Sequence, residues 1–110
     1  MSDITEARRA LARRILEGEG EASRAQRRAA FDNSGLPEPL RTLIDKVTRS
    51  AHRVTDEDMA AVRRSGLRED EIFELVVCGA VGQASRRYDA ARLALDAATG
   101  KDGHAARDSR

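Results

Sequence analysis

The sequence has very few large aromatic side chains. There is no tryptophan, and the 110 residues include only two phenylalanines and one tyrosine. Aromatic side chains supply much of the buried area in most cores, so this core has to be built from aliphatic and alanine side chains. A chain of this length forms one domain. Because a thin core of small side chains often gains stability by association, we predict a homo-oligomer.

Other scarce features exclude whole classes of protein. The single cysteine, Cys78, cannot form an intrachain disulfide, which favours a reducing compartment. The 20 basic and 19 acidic residues nearly cancel, whereas binding to nucleic acid or to a membrane surface needs a clustered excess of one charge. Neither a signal peptide nor an apolar run of membrane-spanning length is found. We therefore expect a cytoplasmic protein that binds neither nucleic acid nor membranes.

Helical periodicity runs through the sequence, and no segment alternates apolar and polar residues as a strand would. The expected fold class is all-α, a small oligomeric bundle of about five helices. The expected helices span 2 or 3 to 17, 23–31, 39–52, 56–65 and 69–98, the last either continuous or broken after Gly82. They form one helical domain over residues 1–98, with N-terminal helices in 1–35 and a core in 36–98. Residues 99–110 lack an apolar stripe and are expected to be a disordered tail.

Two of these helices carry specific expectations. The first has apolar residues at steps of three and four, which predict its buried face: Ile4, Ala7, Leu11 and Ile15. The fifth is almost free of charge from Ile72 to Ala84, as is typical of a central helix. Its small residues would let another helix approach closely, and we expect self-association through them: Gly79, Ala80, Gly82 and Ala84.

The segment from Val54 to Val77 has the order helix, tight glycine turn, helix. A DNA-binding helix-turn-helix has the same order. Here, however, the second helix begins with Arg68 followed by Glu69, Asp70 and Glu71. DNA phosphates would repel these carboxylates, so the segment does not predict DNA binding.

The second half of this segment and the residues after it, with the sequence SGLREDEIFELVVCGAVGQ from Ser65 to Gln83, resemble the core of the carboxymuconolactone decarboxylase and alkylhydroperoxidase-D-like superfamily. The resemblance covers about residues 36–95 and implies an all-helical, oligomeric protein. The redox branch of that family carries Cys-x-x-Cys-x-x-x-His before the Gly-Leu turn. Counting back from Gly66 places Ala51 and Val54 at the cysteine positions and Asp58 at the histidine position. The resemblance therefore implies the fold without the dithiol peroxidase activity.

Three polar residues of the fifth helix are the candidates for ligand binding. Gln83, Arg86 and Arg87 continue a stripe that is otherwise apolar, and polar groups on such a stripe need partners. One interpretation is a structural salt bridge within or between subunits, for example to Asp45 or Asp58. The other is a pocket for a small anionic ligand, which a guanidinium binds through two parallel hydrogen bonds.

Cys78 and His52 are weaker candidates for chemistry. Glu71 and Glu74 lie on the same side of the fifth helix as Cys78, and carboxylates disfavour a thiolate. His52 is expected at the end of the third helix, where a histidine interacts favourably with the helix dipole. No group of residues has metal-ligand spacing, so neither a metal nor a cofactor is predicted.

Two functional hypotheses follow from the sequence. The first is a carboxymuconolactone decarboxylase-like protein without the dithiol, which binds or acts on a small carboxylate-bearing molecule. The second is a non-catalytic structural or interaction subunit that assembles through its small-residue central helix. Whether the chain is an enzyme is left open at this point.

Overall fold

The computed structural model describes residues 2–100, and these residues are helical with short connections. They form five α-helices and one 3-10 turn, with no strand among them, so the all-α prediction is confirmed. The helices are α1 (Ser2–Glu17), α2 (Arg24–Asp32), α3 (Leu40–Arg49), α4 (Asp56–Arg64) and α5 (Glu69–Thr99), and the 3-10 turn spans Ala51–Arg53. None of these helices has the length and apolar character needed to cross a membrane.

Two helix ends differ from the sequence-based expectation. The third helix stops at Arg49 rather than His52, because Ser50 leaves the helical backbone conformation (φ −156°, ψ 67°) before the 3-10 turn begins. The fifth helix is not broken after Gly82 but continues to Thr99 and ends where Gly100 takes the left-handed conformation. The first residue of the predicted tail is therefore helical, and residues 101–110 lie outside the described part of the chain.

The core surrounds the first half of α5. Its fully buried large side chains come from α3, α4 and α5: Leu40, Leu43, Ile44, Val62, Ile72, Leu75 and Cys78. A Cβ at Gly82 would overlap the carbonyl oxygen of Phe31, and one at Gly79 would lie 3.1 Å from Cγ2 of Ile44. The two glycines therefore let α2 and α3 pack closely on α5 within one chain. The expectation that these glycines face another subunit is wrong.

The second half of α5 and α1 extend away from the core as an antiparallel pair, which we call the arm (α1 with residues 85–99). The molecule measures 60 × 29 × 21 Å as a result. Polar contacts join the two helices. Arg8 donates from Nη1 to Oγ of Ser85 at 2.7 Å, and its Nη2 lies 3.0 Å from the carboxylate of Asp89. The Arg8 guanidinium also lies 4.8 Å from the ring centroid of Tyr88, and Arg92 donates to Thr5 at 3.0 Å.

The predicted buried face of α1 is mostly exposed. Ile4 is 57% exposed and Leu11 is 49% exposed, and of the four predicted stripe residues only Ile15 packs against the core. The side of α1 that faces α5 carries Thr5 and Arg8 instead, because the polar contacts of the arm fix the rotation of α1. The arm thus has polar residues inside and apolar residues outside.

Two charged side chains, Arg27 of α2 and Glu74 of α5, hold the α1–α2 linker in place. Arg27, which is buried, donates to the carbonyl oxygens of Ile15, Gly18 and Ala22 at 3.1, 2.6 and 3.1 Å. The Glu74 carboxylate accepts hydrogen bonds from the backbone N–H groups of Glu21 and Ala22, at 2.7 and 3.0 Å. These backbone hydrogen bonds lower the pKa of Glu74, since they stabilise the charged form.

Candidate functional site

An open apolar groove lies between α3, α4 and the first turns of α5. Its volume is about 770 Å³. Its walls are aliphatic, aromatic or thioether side chains: Leu43, Val47, Val54, Met59, Phe73 and Val76. Its rim carries the charged residues Arg68, Glu69 and Asp70. Phe73 is 68% exposed, so this wall of the groove has only partial support from the chain itself.

The start of α4 builds one side of the groove. Thr55 caps the helix as its sequence predicts: its hydroxyl accepts from the Asp58 N–H, and the Asp58 carboxylate accepts from the Thr55 N–H. Val54 precedes this cap and Met59 lies one turn into the helix, which are the positions of a hydrophobic staple, and both line the groove. Lys46 of α3 donates to both Asp58 oxygens, at 3.1 and 2.9 Å, and ties α4 to α3.

The Lys46–Asp58 pair is the best-protected ion pair beside the groove. The side chain of Asp58 is only 14% exposed. The Lys46 hydrogen bond, followed by the Thr55 N–H, lowers the pKa of Asp58 below its usual range. Because the carboxylate accepts hydrogen bonds from both Lys46 and Thr55, this pair fixes the wall of the groove.

Arg68 precedes α5 and is the cation on the rim of the groove. Its Nη2 donates to Glu21 at 2.7 Å, while its other ion-pair contacts, to Asp70 and Glu71, are longer, at 3.7 and 3.5 Å. The Glu21 hydrogen bond is the main reason that the pKa of Arg68 is raised. The Arg68 side chain is 60% exposed, so it remains accessible to a group entering from solvent.

Of the three positions that the family resemblance singles out, one lines this groove. Val54, at the second cysteine position, forms part of its wall. Ala51, at the first, is exposed on the 3-10 turn, and Asp58, at the histidine position, pairs with Lys46. Sequence reasoning had located these positions but not the groove, because its walls come from three helices that are separated along the chain.

The three candidate residues of α5 do not converge. Arg86 donates from Nη1 to the Phe31 carbonyl at 2.6 Å and from Nη2 to Oε1 of Gln83 at 3.0 Å, so these two side chains meet at the carboxyl end of α2. A cation at this position interacts favourably with the negative end of the α2 helix dipole. Arg87 is exposed on another side of α5, and no hydrogen bond or ion pair to it is found within residues 2–100.

The salt bridges proposed for these arginines are also absent from the described residues. Asp45 is engaged by Arg49 and by the Asn33 side chain. Asp58 is engaged by Lys46. A small polar depression of about 230 Å³ does lie beside Gln83 and Arg86, with these neighbours: Asp32, Asn33, Thr48 and Arg49. It combines both signs of charge.

Cys78 and His52 lie in contrasting environments. Cys78 is buried, and burial, with a smaller contribution from the Glu74 carboxylate, raises the pKa of its thiol to about 11. Such a thiol is almost entirely protonated at neutral pH and is a poor nucleophile. His52 is exposed in the 3-10 turn, three residues beyond the last residue of α3.

Within residues 2–100, no three acidic, cysteine or histidine side chains are grouped so that they could hold a metal ion. No protein-family model, curated protein or solved structure matches the chain. The groove, with its apolar walls and charged rim, is therefore the candidate binding site of the chain.

Proposed function

We propose that this chain is a carboxymuconolactone decarboxylase-like helical protein without the peroxidase dithiol, and that it binds a small, largely apolar carboxylate in the groove. The observation that carries the proposal is the groove itself, at about 770 Å³, with Val54 in its wall. Binding sites for small molecules commonly enclose about 300–1,000 Å³ and combine apolar walls with a few polar groups.

The order of the helices also supports the resemblance to this family. The resemblance implies a capped helix, a glycine turn and a long helix, in that order. The chain has this order in α4, the turn at Gly66 with its positive φ of 110°, and α5. Val54 supplies an apolar surface where the redox branch would hold a thiol. A site of this composition favours binding of an apolar molecule over thiol-dependent reduction of a peroxide.

Arg68 is the group that would select a carboxylate. Its Nη2 donates to Glu21 at 2.7 Å, and Asp70 and Glu71 lie farther away, at 3.7 and 3.5 Å from Nη1 and Nε. A ligand carboxylate at Arg68 therefore has to replace these two longer contacts and overcome the repulsion of the neighbouring carboxylates. Arg86, by comparison, is already engaged by a backbone carbonyl and by Gln83. A ligand with an apolar body against Phe73 and its acid at Arg68 would use both properties of the groove.

A matched pair of ligands tests this proposal. Titration calorimetry with 4-phenylbutanoate and with its amide should show binding of the acid and at least tenfold weaker binding of the amide. Val54→Trp should abolish binding by filling the groove, and Arg68→Gln should remove the preference for the acid. Arg64→Gln is the control, since Arg64 is an exposed arginine paired with Glu57.

Each outcome of this titration has a separate meaning. Equal binding of acid and amide would overturn the role of Arg68 and leave an apolar site. Binding of the acid that survives Val54→Trp would place the ligand elsewhere, for example beside Arg86. No binding of either compound at millimolar concentration would overturn the proposal for this ligand class.

The alternative function is a non-catalytic interaction subunit that assembles through α5. It is favoured by the large apolar side chains that the chain leaves uncovered on this helix: Phe73, Leu93 and Leu95, at 68%, 63% and 57% exposure. Assembly of a chain that binds neither the acid nor the amide would support this alternative.

A further inference from the structure

One side of α5 carries an uncovered apolar stripe along most of the helix. We call it the outward stripe, and its residues follow steps of four and three: Phe73, Val77, Ala80, Ala84, Arg87, Ala91 and Leu95. All are exposed except Val77, which is half-buried. Apolar residues at this spacing form the seam along which two helices pair. Six of the seven positions are apolar.

The chain uses the other sides of α5 for its own packing. Gly79 and Gly82 contact α2 and α3, and Cys78 and Ser85 face α1. Of the small residues that predict close helix packing, the two glycines therefore pack against helices of the same chain. Ala80 and Ala84 do not pack against the chain, and they are exposed near the middle of the outward stripe.

The exposed residues of α1 extend this face. Arg8 and Ser85 meet between the two helices of the arm, so they mark the inward sides of α1 and α5. Consider an antiparallel pair of helices and, on each helix, a residue that faces the other helix. The residue immediately before it on each helix then points to the same outer surface of the pair. Ala7 and Ala84 are such residues, and Ile4 and Leu11 share the side of Ala7. The apolar face is therefore two helices wide along the arm.

We propose that a second copy of this chain covers this face, with the two α5 helices antiparallel and a two-fold axis at Ala84. Four of the six stripe residues that flank Ala84 form two pairs symmetric about it. Phe73 and Leu95 each lie 11 residues from Ala84, and Val77 and Ala91 each lie 7 residues from it. The two-fold axis places Phe73 against the partner's Leu95, and small alanines meet at the axis, where the helices approach most closely.

The size of the face fits a dimer. From Phe73 to Leu95 the helix is about 33 Å long, and two adjacent helices are about 18–20 Å wide. The resulting footprint of about 600 Å² approaches the roughly 800 Å² per partner of a standard interface once side-chain relief is included. Arg87 is the single charged residue of the stripe, and its methylenes can cover apolar surface while its guanidinium reaches solvent.

The dimer also completes the groove. Phe73 forms one wall of the groove and is largely exposed in the single chain. In the proposed dimer the partner's Leu95 packs on this ring, so each groove gains a wall from the other copy. The dimer does not depend on the groove ligand, and either proposal can fail without the other.

Cysteine cross-linking tests the axis directly in the full-length chain carrying Cys78→Ala. Ala84→Cys should form a disulfide-linked dimer under mild oxidation, because the two copies of residue 84 meet at the axis. Ala91→Cys should cross-link at least tenfold less, since its two copies are about 21 Å apart, beyond the reach of a disulfide. A mixture of Ala91→Cys and Val77→Cys chains should give the mixed dimer. Efficient cross-linking between two Ala91→Cys chains would show that the two α5 helices pair in parallel, which would overturn the proposal. Absence of a disulfide-linked Ala84→Cys dimer would overturn it as well.

A charge variant tests the same face without oxidation. Ala84→Glu buries two carboxylates at the axis and should halve the mass measured by light scattering, while helix content stays unchanged. Ala90→Glu is the matched control, because Ala90 is exposed on another side of α5, and it should keep the parent mass. An Ala84→Glu protein that is helical and still dimeric would overturn the proposal. If that variant does not fold, the cross-linking result decides.

Discussion

At the scale of single residues, the α1–α2 linker depends on two charged side chains, Arg27 and Glu74, as well as on the burial of Ala22. Arg27 is buried and satisfies three backbone carbonyls. Sequence reasoning missed this role, because Arg27 lies in a run of arginines that has no periodic signal. A buried arginine that serves as a donor to backbone oxygens becomes recognisable only when the chain reversal that presents those oxygens is known.

Replacing Arg27 should therefore be costly. Arg27→Met keeps most of the buried aliphatic stem but leaves the carbonyls of Ile15, Gly18 and Ala22 without their donor. We expect a loss of about 3 kcal/mol in the free energy of unfolding, measured by urea denaturation. The neighbouring Arg28→Met is the control, since the side chain of Arg28 is 61% exposed and 3.9 Å from Asp32. Equal stability of the two variants would contradict the proposed role of Arg27.

The Glu74 carboxylate gives the linker a pH dependence. Its pKa is lower in the folded chain than its ordinary value of 4.5, chiefly through the Ala22 and Glu21 N–H groups. A lowered folded-state pKa means that this stabilisation is complete above the unfolded-state pKa and is lost as the pH falls through the folded value. Glu74→Gln should cost about 1–2 kcal/mol near pH 7, and the difference from the parent should shrink below pH 4.

Urea denaturation of both proteins between pH 3 and pH 7 measures this difference. Glu6→Gln is a suitable control, because Glu6 is exposed on α1. A stability difference for Glu74→Gln that stays constant over the whole range would show that the charge of Glu74 is not what holds the linker.

At the scale of elements, α5 separates two kinds of small residue onto different sides. Its glycines contact α2 and α3, and its alanines remain exposed. The sequence predicts close packing from all of them but cannot say which neighbour uses which side. That assignment depends on the rotation of α5 against α2, which contacts far apart in the chain determine.

The glycine side is tested by Gly82→Ala. A Cβ at this position meets the backbone of Phe31, which has to shift, whereas a Cβ at Gly79 meets a side-chain methyl group of Ile44 at 3.1 Å. Alanine gains about 1 kcal/mol in helix propensity at either site. We expect Gly82→Ala to lose about 2 kcal/mol or more overall and Gly79→Ala to change little, both measured by thermal or urea unfolding. A more stable Gly82→Ala protein would contradict the close approach of α2.

At the scale of the whole molecule, the sequence predicts the helices better than their arrangement. The caps at Ser23 and Thr55 and the start of α5 are local signals, and they agree with the structure. The apolar stripe of α1 predicts a buried face, because amphipathicity shows only that a face is to be buried. It does not show whether the same chain or another one covers it.

The candidate site shows the same limit. The sequence predicts a common role for Gln83, Arg86 and Arg87, whereas in the structure only the side chains of Gln83 and Arg86 meet. Their partner, the Phe31 carbonyl, could not be predicted, because it is a backbone oxygen 55 residues away along the chain. The groove was missed for a related reason: its residues read individually as ordinary core positions.

The most direct test of the central claim, that the outward stripe of α5 is an interface, is the mass of the unmodified protein in solution. Multi-angle light scattering coupled to size exclusion should give twice the 12.0 kDa mass of the chain at concentrations from about 10 to 100 μM, the range in which a micromolar dimer is populated. A mass of one chain throughout that range would contradict the account and leave the exposed side chains Phe73 and Leu95 unexplained.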